Sequence, residues 1–118
     1  MAEIFLMEDS APLRRVLTEE LRDAGHNVTA LEDGLESRDV EFLDRADILV
    51  TDIDMPNVNG YEVVKNVRAS HPSLPVLVIT GLPFEAFKDI SCDQVISKPI
   101  RCALLVDTIE AHLTRSIA

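Results

Sequence analysis

Four carboxylates, one hydroxyl and one ammonium group stand at the ends of short apolar runs of the sequence. They belong to Glu8, Asp9, Asp52, Asp54, Thr80 and Lys98. Carboxylates held within a few ångströms of one another raise each other's pKa unless a cation lies between them. An oxygen-only ligand set with no convergent histidine or cysteine favours a hard ion. Mg²⁺ fits such a set best, because it takes one or two carboxylates together with a phosphoryl oxygen.

A carboxylate beside such an ion can attack phosphorus and form an acyl phosphate. The Lys98 ammonium and the Thr80 hydroxyl are suited to the extra phosphoryl oxygens, and Gly81 leaves the space beside them clear. Each residue alone also has an ordinary structural explanation, since acidic pairs begin helices, Met-Pro marks turns and threonine is common in strands. The interpretation therefore depends on all of these residues following successive apolar runs, in order.

Short apolar runs alternate with amphipathic stretches, and these are the elements that must position the polar residues. The runs that predict strands are residues 4–7, 28–31, 48–51, 76–80 and 95–97. The third and fourth are continuous and rich in valine and isoleucine, which is typical of strands covered on both faces. The second is more mixed, which predicts an edge strand.

Helical patterns lie between these runs. A stripe of leucine and valine from Leu13 to Leu21 follows a capping serine, Ser10, and ends at Gly25. Further stripes cover residues 63–67 and 104–113, with weaker ones at 35–43 and 84–90. This alternation predicts a parallel α/β sheet with helices on both faces, and ligands in such sheets bind beyond the carboxyl ends of the strands.

Composition narrows the class of protein. The 118 residues fit one domain over 1–118, and the 47% hydrophobic content excludes simple disorder. Eleven basic against 21 acidic side chains give a net charge of −10, which argues against direct binding to nucleic acid or to an anionic membrane. No basic leader or long apolar segment is present, and Cys92 and Cys102 form no metal or redox motif, so we expect a cytoplasmic protein.

The pattern resembles the receiver domain of two-component response regulators. The residues that carry the resemblance are Glu8-Asp9, Asp52-x-x-Met55-Pro56-x-x-x-Gly60, Thr80 and Lys98-Pro99, and they span essentially the whole chain. The resemblance implies a flavodoxin-like (βα)5 doubly wound parallel sheet with strand order 2-1-3-4-5. It also implies a cis peptide bond between Lys98 and Pro99.

The resemblance also implies a role for each site residue. Asp52 would accept a phosphoryl group from a phosphohistidine on a sensor histidine kinase or a histidine phosphotransfer protein. Asp9 and Asp52 would bind Mg²⁺ directly and Glu8 through water, with the backbone carbonyl of Asp54 completing the protein ligands. Lys98 would pair with the phosphoryl group, and Thr80 would move inward to bond it.

The sequence departs from the family pattern in four places. The acidic pair is Glu8-Asp9 rather than two aspartates, a common variant whose extra methylene still reaches through water. Asp54 carries a charge two residues after the acceptor, where we expect it to affect hydrolysis of the phosphoaspartate. Val95 stands where many receivers have tyrosine or phenylalanine, so the usual aromatic switch cannot operate there. Phe84 or Phe87 could substitute, although burial in the core is the stronger explanation for both. The stretch from residue 80 to 98 is short, which predicts a short or irregular fourth helix and an unusual mode of partner binding.

Three classes of function are compatible with this pattern. The leading one is a stand-alone signalling phosphoacceptor that assists its own phosphorylation and dephosphorylation and acts through a downstream protein or a phosphorelay. The second is an enzyme like the haloacid dehalogenase phosphatases, which Asp52-Ile53-Asp54 imitates, although that motif follows the third predicted strand rather than the first. The third is a binding module that no longer accepts phosphate.

Overall fold

The computed structural model describes residues 2–82 and 90–117, with side chains through residue 114. Five strands form one sheet, and every neighbouring pair is parallel. The strands are β1 (Glu3–Met7), β2 (Asn27–Leu31), β3 (Ile48–Asp52), β4 (Val76–Thr80) and β5 (Gln94–Ser97). Their order is β2-β1-β3-β4-β5, which confirms the flavodoxin-like order and the edge position of the second strand.

The described helices follow the predicted stripes. They are α1 (Ala11–Asp23), α2 (Val40–Leu43), α3 (Gly60–Ser70) and α4 (Cys102–Ile117), with a 3-10 turn at Leu35–Arg38. The Ser10 hydroxyl caps α1 by accepting from the Leu13 amide, as predicted. No helix among the described residues is long and apolar enough to cross a membrane.

The weak pattern at 35–43 forms two short elements rather than one helix. Asp39 is extended and breaks the segment, because its side chain accepts from the Phe42 amide and starts a new turn there. The predicted short fourth helix at 84–90, with Phe84 and Phe87, lies outside the described residues except for Ile90. The described part of that stretch, residue 90, is not helical.

Two apolar cores lie on the two faces of the sheet. Alternate residues of β1 divide between them: Phe5 and Met7 pack with α2 and α3, whereas Ile4 and Leu6 pack with α1 and α4. All five residues of β3 and of β4 are buried, which agrees with their continuous apolar sequence. The sheet therefore holds the carboxyl ends of β1, β3, β4 and β5 along one rigid edge.

Candidate functional site

Three of the predicted carboxylates converge at the carboxyl edge of the sheet. Glu8 and Asp9 follow β1, and Asp52 is the last residue of the neighbouring strand β3. One oxygen from each of the three lies within 4.8 Å of the other two. Glu8 is fully buried and Asp52 is 5% exposed, whereas Asp9 faces solvent. This set of oxygens fits a hard divalent cation.

Lys98 supplies the positive charge at this edge. Its Nζ donates to Oδ2 of Asp52 at 2.8 Å and lies 3.4 Å from Oε1 of Glu8. The pKa of Lys98 is raised: burial alone would lower it, but the hydrogen bond and charge of Asp52, together with the charge of Glu8, outweigh that effect. The peptide bond from Lys98 to Pro99 is cis, as predicted. The Lys98 ammonium is therefore positioned to act as the counterion of a charged group on Asp52.

Glu8 is the most perturbed acid of the site. Burial raises its pKa from 4.5 to about 7, the nearby charge of Asp52 adds to this, and the Ser10 amide and Lys98 oppose it. Oε2 accepts from the Ser10 amide at 2.9 Å, whereas the buried Oε1 accepts no hydrogen bond among the described groups and has only the Lys98 ammonium nearby, at 3.4 Å. A buried oxygen without a hydrogen bond is costly, and a nearby cation or its bound water would satisfy it.

The turn after β3 holds Asp52 in place. Oδ1 of Asp52 accepts from the backbone amide of Asp54 at 3.3 Å, and the Asp54 side chain is exposed. The Gly60 amide donates to the Ile53 carbonyl at 2.8 Å, so α3 begins directly against this turn. A Cβ at position 60 would lie 2.4 Å from the Asp52 carbonyl oxygen. Only glycine permits this approach without a shift of the backbone.

Thr80 ends β4 at the same edge of the sheet. The register pairs Asp52 with Ile79, so Thr80 stands one position further along the neighbouring strand. Its hydroxyl is buried and accepts from the Leu82 amide at 3.0 Å, and its carbonyl accepts from the Lys98 amide at 2.8 Å. All six predicted residues therefore lie at the ends of β1, β3, β4 and β5.

The sequence pattern did not predict two contacts of the site. Nη1 of Arg14 donates to the Glu8 carbonyl at 2.8 Å and lies 3.5 Å from the Asp9 carbonyl, so α1 holds the loop that carries both acids. The Ser10 amide orients the Glu8 carboxylate. The pattern showed Ser10 only as a helix cap and gave no signal for Arg14, because the turn that brings Arg14 back to β1 is set by the fold.

Comparison with known proteins finds response regulators and their receiver domains. The family model described as the response regulator receiver domain matches residues 4–110. The response regulator MprA of Mycobacterium avium (strain 104) is 31% identical over 117 residues, covering 96% of this chain and 51% of that protein. The chain thus spans about half the length of the curated relatives it matches.

Solved receiver structures superpose on nearly the whole chain. A response regulator receiver protein from Sinorhizobium medicae WSM419 is 27% identical with a TM-score of 0.86, covering 98% of this chain and 96% of that one. The receiver domain of sensor histidine kinase PA1611 from Pseudomonas aeruginosa PAO1 shares the fold with a TM-score of 0.84, at 23% identity, over 96% of this chain and 98% of that one.

Proposed function

We propose that Asp52 is the phosphoacceptor of this chain, which belongs to the response regulator receiver family of two-component systems. Receiver domains are signalling phosphoacceptors, and this chain has the groups that such a reaction needs. The observation that carries the proposal is the 2.8 Å contact between Asp52 and Lys98 inside a cluster of three carboxylates. A buried, oriented carboxylate with a cation on one side is placed to attack phosphorus.

In the proposed transfer, an Asp52 carboxylate oxygen attacks the phosphorus of a phosphohistidine on a histidine kinase or a phosphotransfer protein. The new O–P bond forms as the P–N bond breaks, and the imidazole leaves with the electron pair and takes up a proton. The Asp54 amide holds Oδ1, which leaves Oδ2 and its Lys98 partner for the reaction. Lys98 then pairs with a phosphoryl oxygen instead of the carboxylate.

Mg²⁺ is the cofactor that this site fits best. Asp9 and Asp52 would hold it directly, Glu8 would act through a bound water, and the backbone carbonyl of Asp54 would complete the protein ligands. A bound Mg²⁺ would offset the negative charge that gathers on the phosphoryl oxygens. The buried Oε1 of Glu8, which accepts no hydrogen bond among the described groups, supports this assignment. The Pseudomonas receiver domain is described with a magnesium ion coordinated in its active site cleft.

Thr80 is the residue that would report the modification. Its hydroxyl now accepts from the Leu82 amide and keeps its own proton for donation. A phosphoryl oxygen on Asp52 would accept that proton and shift the start of the loop after β4, and so bias the binding of a downstream protein. Val95 of β5 is half-buried and pairs with Val78 of β4, so the signal would pass without an aromatic residue at position 95.

The test is the intact mass of the chain after incubation with acetyl phosphate and Mg²⁺. We expect one phosphoryl adduct, which is lost with a chelator and in Asp52→Asn, but kept in Asp107→Asn, a matched change on exposed α4. Equal modification of Asp52→Asn would contradict the proposal, as would a wild-type chain that takes no phosphoryl group. Rapid turnover of a small ester such as p-nitrophenyl phosphate would favour the phosphatase alternative instead.

A further inference from the structure

A groove of about 330 Å³ lies between α1 and the edge strand β2. Three arginines line it, and we call it the α1–β2 groove; it is formed by Arg14, Arg15, Thr18, Glu19, Arg22 and Ala30. The phosphoacceptor site uses none of these side chains as a ligand. Three guanidinium groups on one face are notable in a chain with a net charge of −10.

The guanidinium groups keep donors available. Arg14 and Arg22 are each held in place by a backbone carbonyl, that of Glu8 at 2.8 Å and that of Val28 at 3.0 Å. A guanidinium carries five N–H donors, so each retains others after these contacts. Arg15 is exposed and joins no hydrogen bond or ion pair among the described residues. Two arginines are thus pre-positioned and the third is free to close on a ligand.

Thr18 has a buried hydroxyl that makes no hydrogen bond within the described structure. The residue is 8% exposed, and its Oγ1 is buried without a hydrogen-bond partner. In α4, by contrast, Thr108 and Thr114 each donate to the carbonyl four residues earlier, at 2.7 and 2.9 Å. A buried hydroxyl without a partner lowers stability, and rotation of the Thr18 side chain toward the groove would let a ligand accept its proton.

The outer edge of β2 contributes backbone donors. At both ends of the strand, Asn27 and Leu31 hydrogen-bond toward β1. Backbone groups of a parallel strand alternate in direction, so those of Val28 and Ala30 point away from β1. Arg22 already covers the Val28 carbonyl, whereas the Ala30 amide lies at the groove.

We propose that the α1–β2 groove binds a phosphate-bearing ligand. Its lining carries three guanidinium groups against one carboxylate, and planar guanidinium groups match the oxygens of phosphate in pairs. Glu19 is the single carboxylate of the lining; it is exposed and joins none of the ion pairs between described residues. The net charge of −10 disfavours a long polyanion such as nucleic acid, so a small ligand fits better.

The test is an NMR titration of ¹⁵N-labelled protein with pyrophosphate in chelator-treated buffer. Without Mg²⁺, the acidic cluster around Asp52 repels the probe, so binding there is kept apart from binding in the groove. We expect saturable shifts of the Ala30 amide and of the Arg15 side chain. Arg15→Glu should weaken binding about tenfold, because an exposed attraction becomes a repulsion. Thr18→Val, which only removes the hydroxyl, should weaken it about threefold.

Lys65→Glu is the matched control, because it makes the same change of charge on exposed α3. It should alter the affinity less than about twofold, since solvent and salt screen distant surface charges. Three results would overturn the proposal: no shifts at the groove, equal weakening by Lys65→Glu and Arg15→Glu, or unchanged affinity in Thr18→Val. Shifts centred on Asp52 instead of Ala30 would do the same.

Discussion

Replacement of Glu8 by glutamine measures how much the buried charge of Glu8 lowers the free energy of unfolding. Burial raises the pKa of Glu8 from 4.5 to about 7 in the folded protein. Between these two values the folded protein holds a proton that the unfolded chain has released. The free energy of unfolding therefore falls as the pH rises from 4.5 to 7. Each pKa unit is worth about 1.4 kcal/mol, so the full loss is on the order of 3 kcal/mol.

Glu8→Gln keeps the shape of the side chain and removes the charge. In metal-free buffer at about pH 8, the variant should be more stable than the wild type by up to about 3 kcal/mol. At about pH 4 the wild-type carboxyl is protonated, and the two proteins should differ by less than about 1 kcal/mol, the worth of one neutral hydrogen bond. The advantage of the variant should therefore grow with pH.

Urea unfolding with a chelator at a series of pH values measures this difference. Glu20→Gln is the matched control, because it makes the same substitution at an exposed position of α1, where solvent screens the charge. A constant gap between wild type and Glu8→Gln, or a less stable variant at about pH 8, would show that the Glu8 charge is not destabilising in the folded protein. Saturating Mg²⁺ should stabilise the wild type more than the variant, since the cation offsets the buried charge.

Three further changes have expected outcomes. Gly60→Ala should lower the free energy of unfolding by about 1–3 kcal/mol in urea, because its Cβ would lie 2.4 Å from the Asp52 carbonyl; an unchanged midpoint would contradict this packing. Lys98→Met should lower the free energy of unfolding by about 2 kcal/mol in metal-free buffer, because Asp52 loses its cation. It should also slow phosphorylation by acetyl phosphate, and a wild-type rate measured by mass spectrometry would exclude a role of Lys98 in the reaction. Asp54→Asn should change the lifetime of the phosphoaspartate, measured by decay of the adduct mass, and equal lifetimes would remove Asp54 from hydrolysis.

The sequence predicted the convergence of the site residues because each polar residue ends an apolar run or closely follows one. In a parallel sheet the ends of such runs must meet, so Asp52, Thr80 and Lys98 could be placed together before their distances were known. The strand bounds were less accurate. β1, β2 and β5 each begin one residue earlier than predicted, at Glu3, Asn27 and Gln94. Backbone pairing does not require an apolar side chain, so the apolar pattern underestimates a strand.

Features that arise from folding could not be predicted from the pattern. The break at Asp39 depends on a single side-chain cap that outweighs a weak helical stripe. Only one of the two Glu8 carboxylate oxygens accepts a hydrogen bond, because the Ser10 amide after β1 points to Oε2. The outward direction of the Ala30 amide follows from strand alternation once the register with β1 is known. The sequence specifies these features only through the assembled sheet.

Mapping the phosphorylated residue shows whether Asp52 is the phosphoacceptor. Chain modified with acetyl phosphate and Mg²⁺ should be reduced with borohydride, which converts an acyl phosphate to an alcohol, and then mapped by peptide mass spectrometry. We expect a single reduced position, Asp52, because this buried carboxylate accepts the 2.8 Å hydrogen bond from Lys98 and lies beside the ligand oxygens of Glu8 and Asp9. Reduction at Glu8, Asp9, Asp54 or an exposed acid, with Asp52 unchanged, would contradict the assignment of Asp52 as the phosphoacceptor.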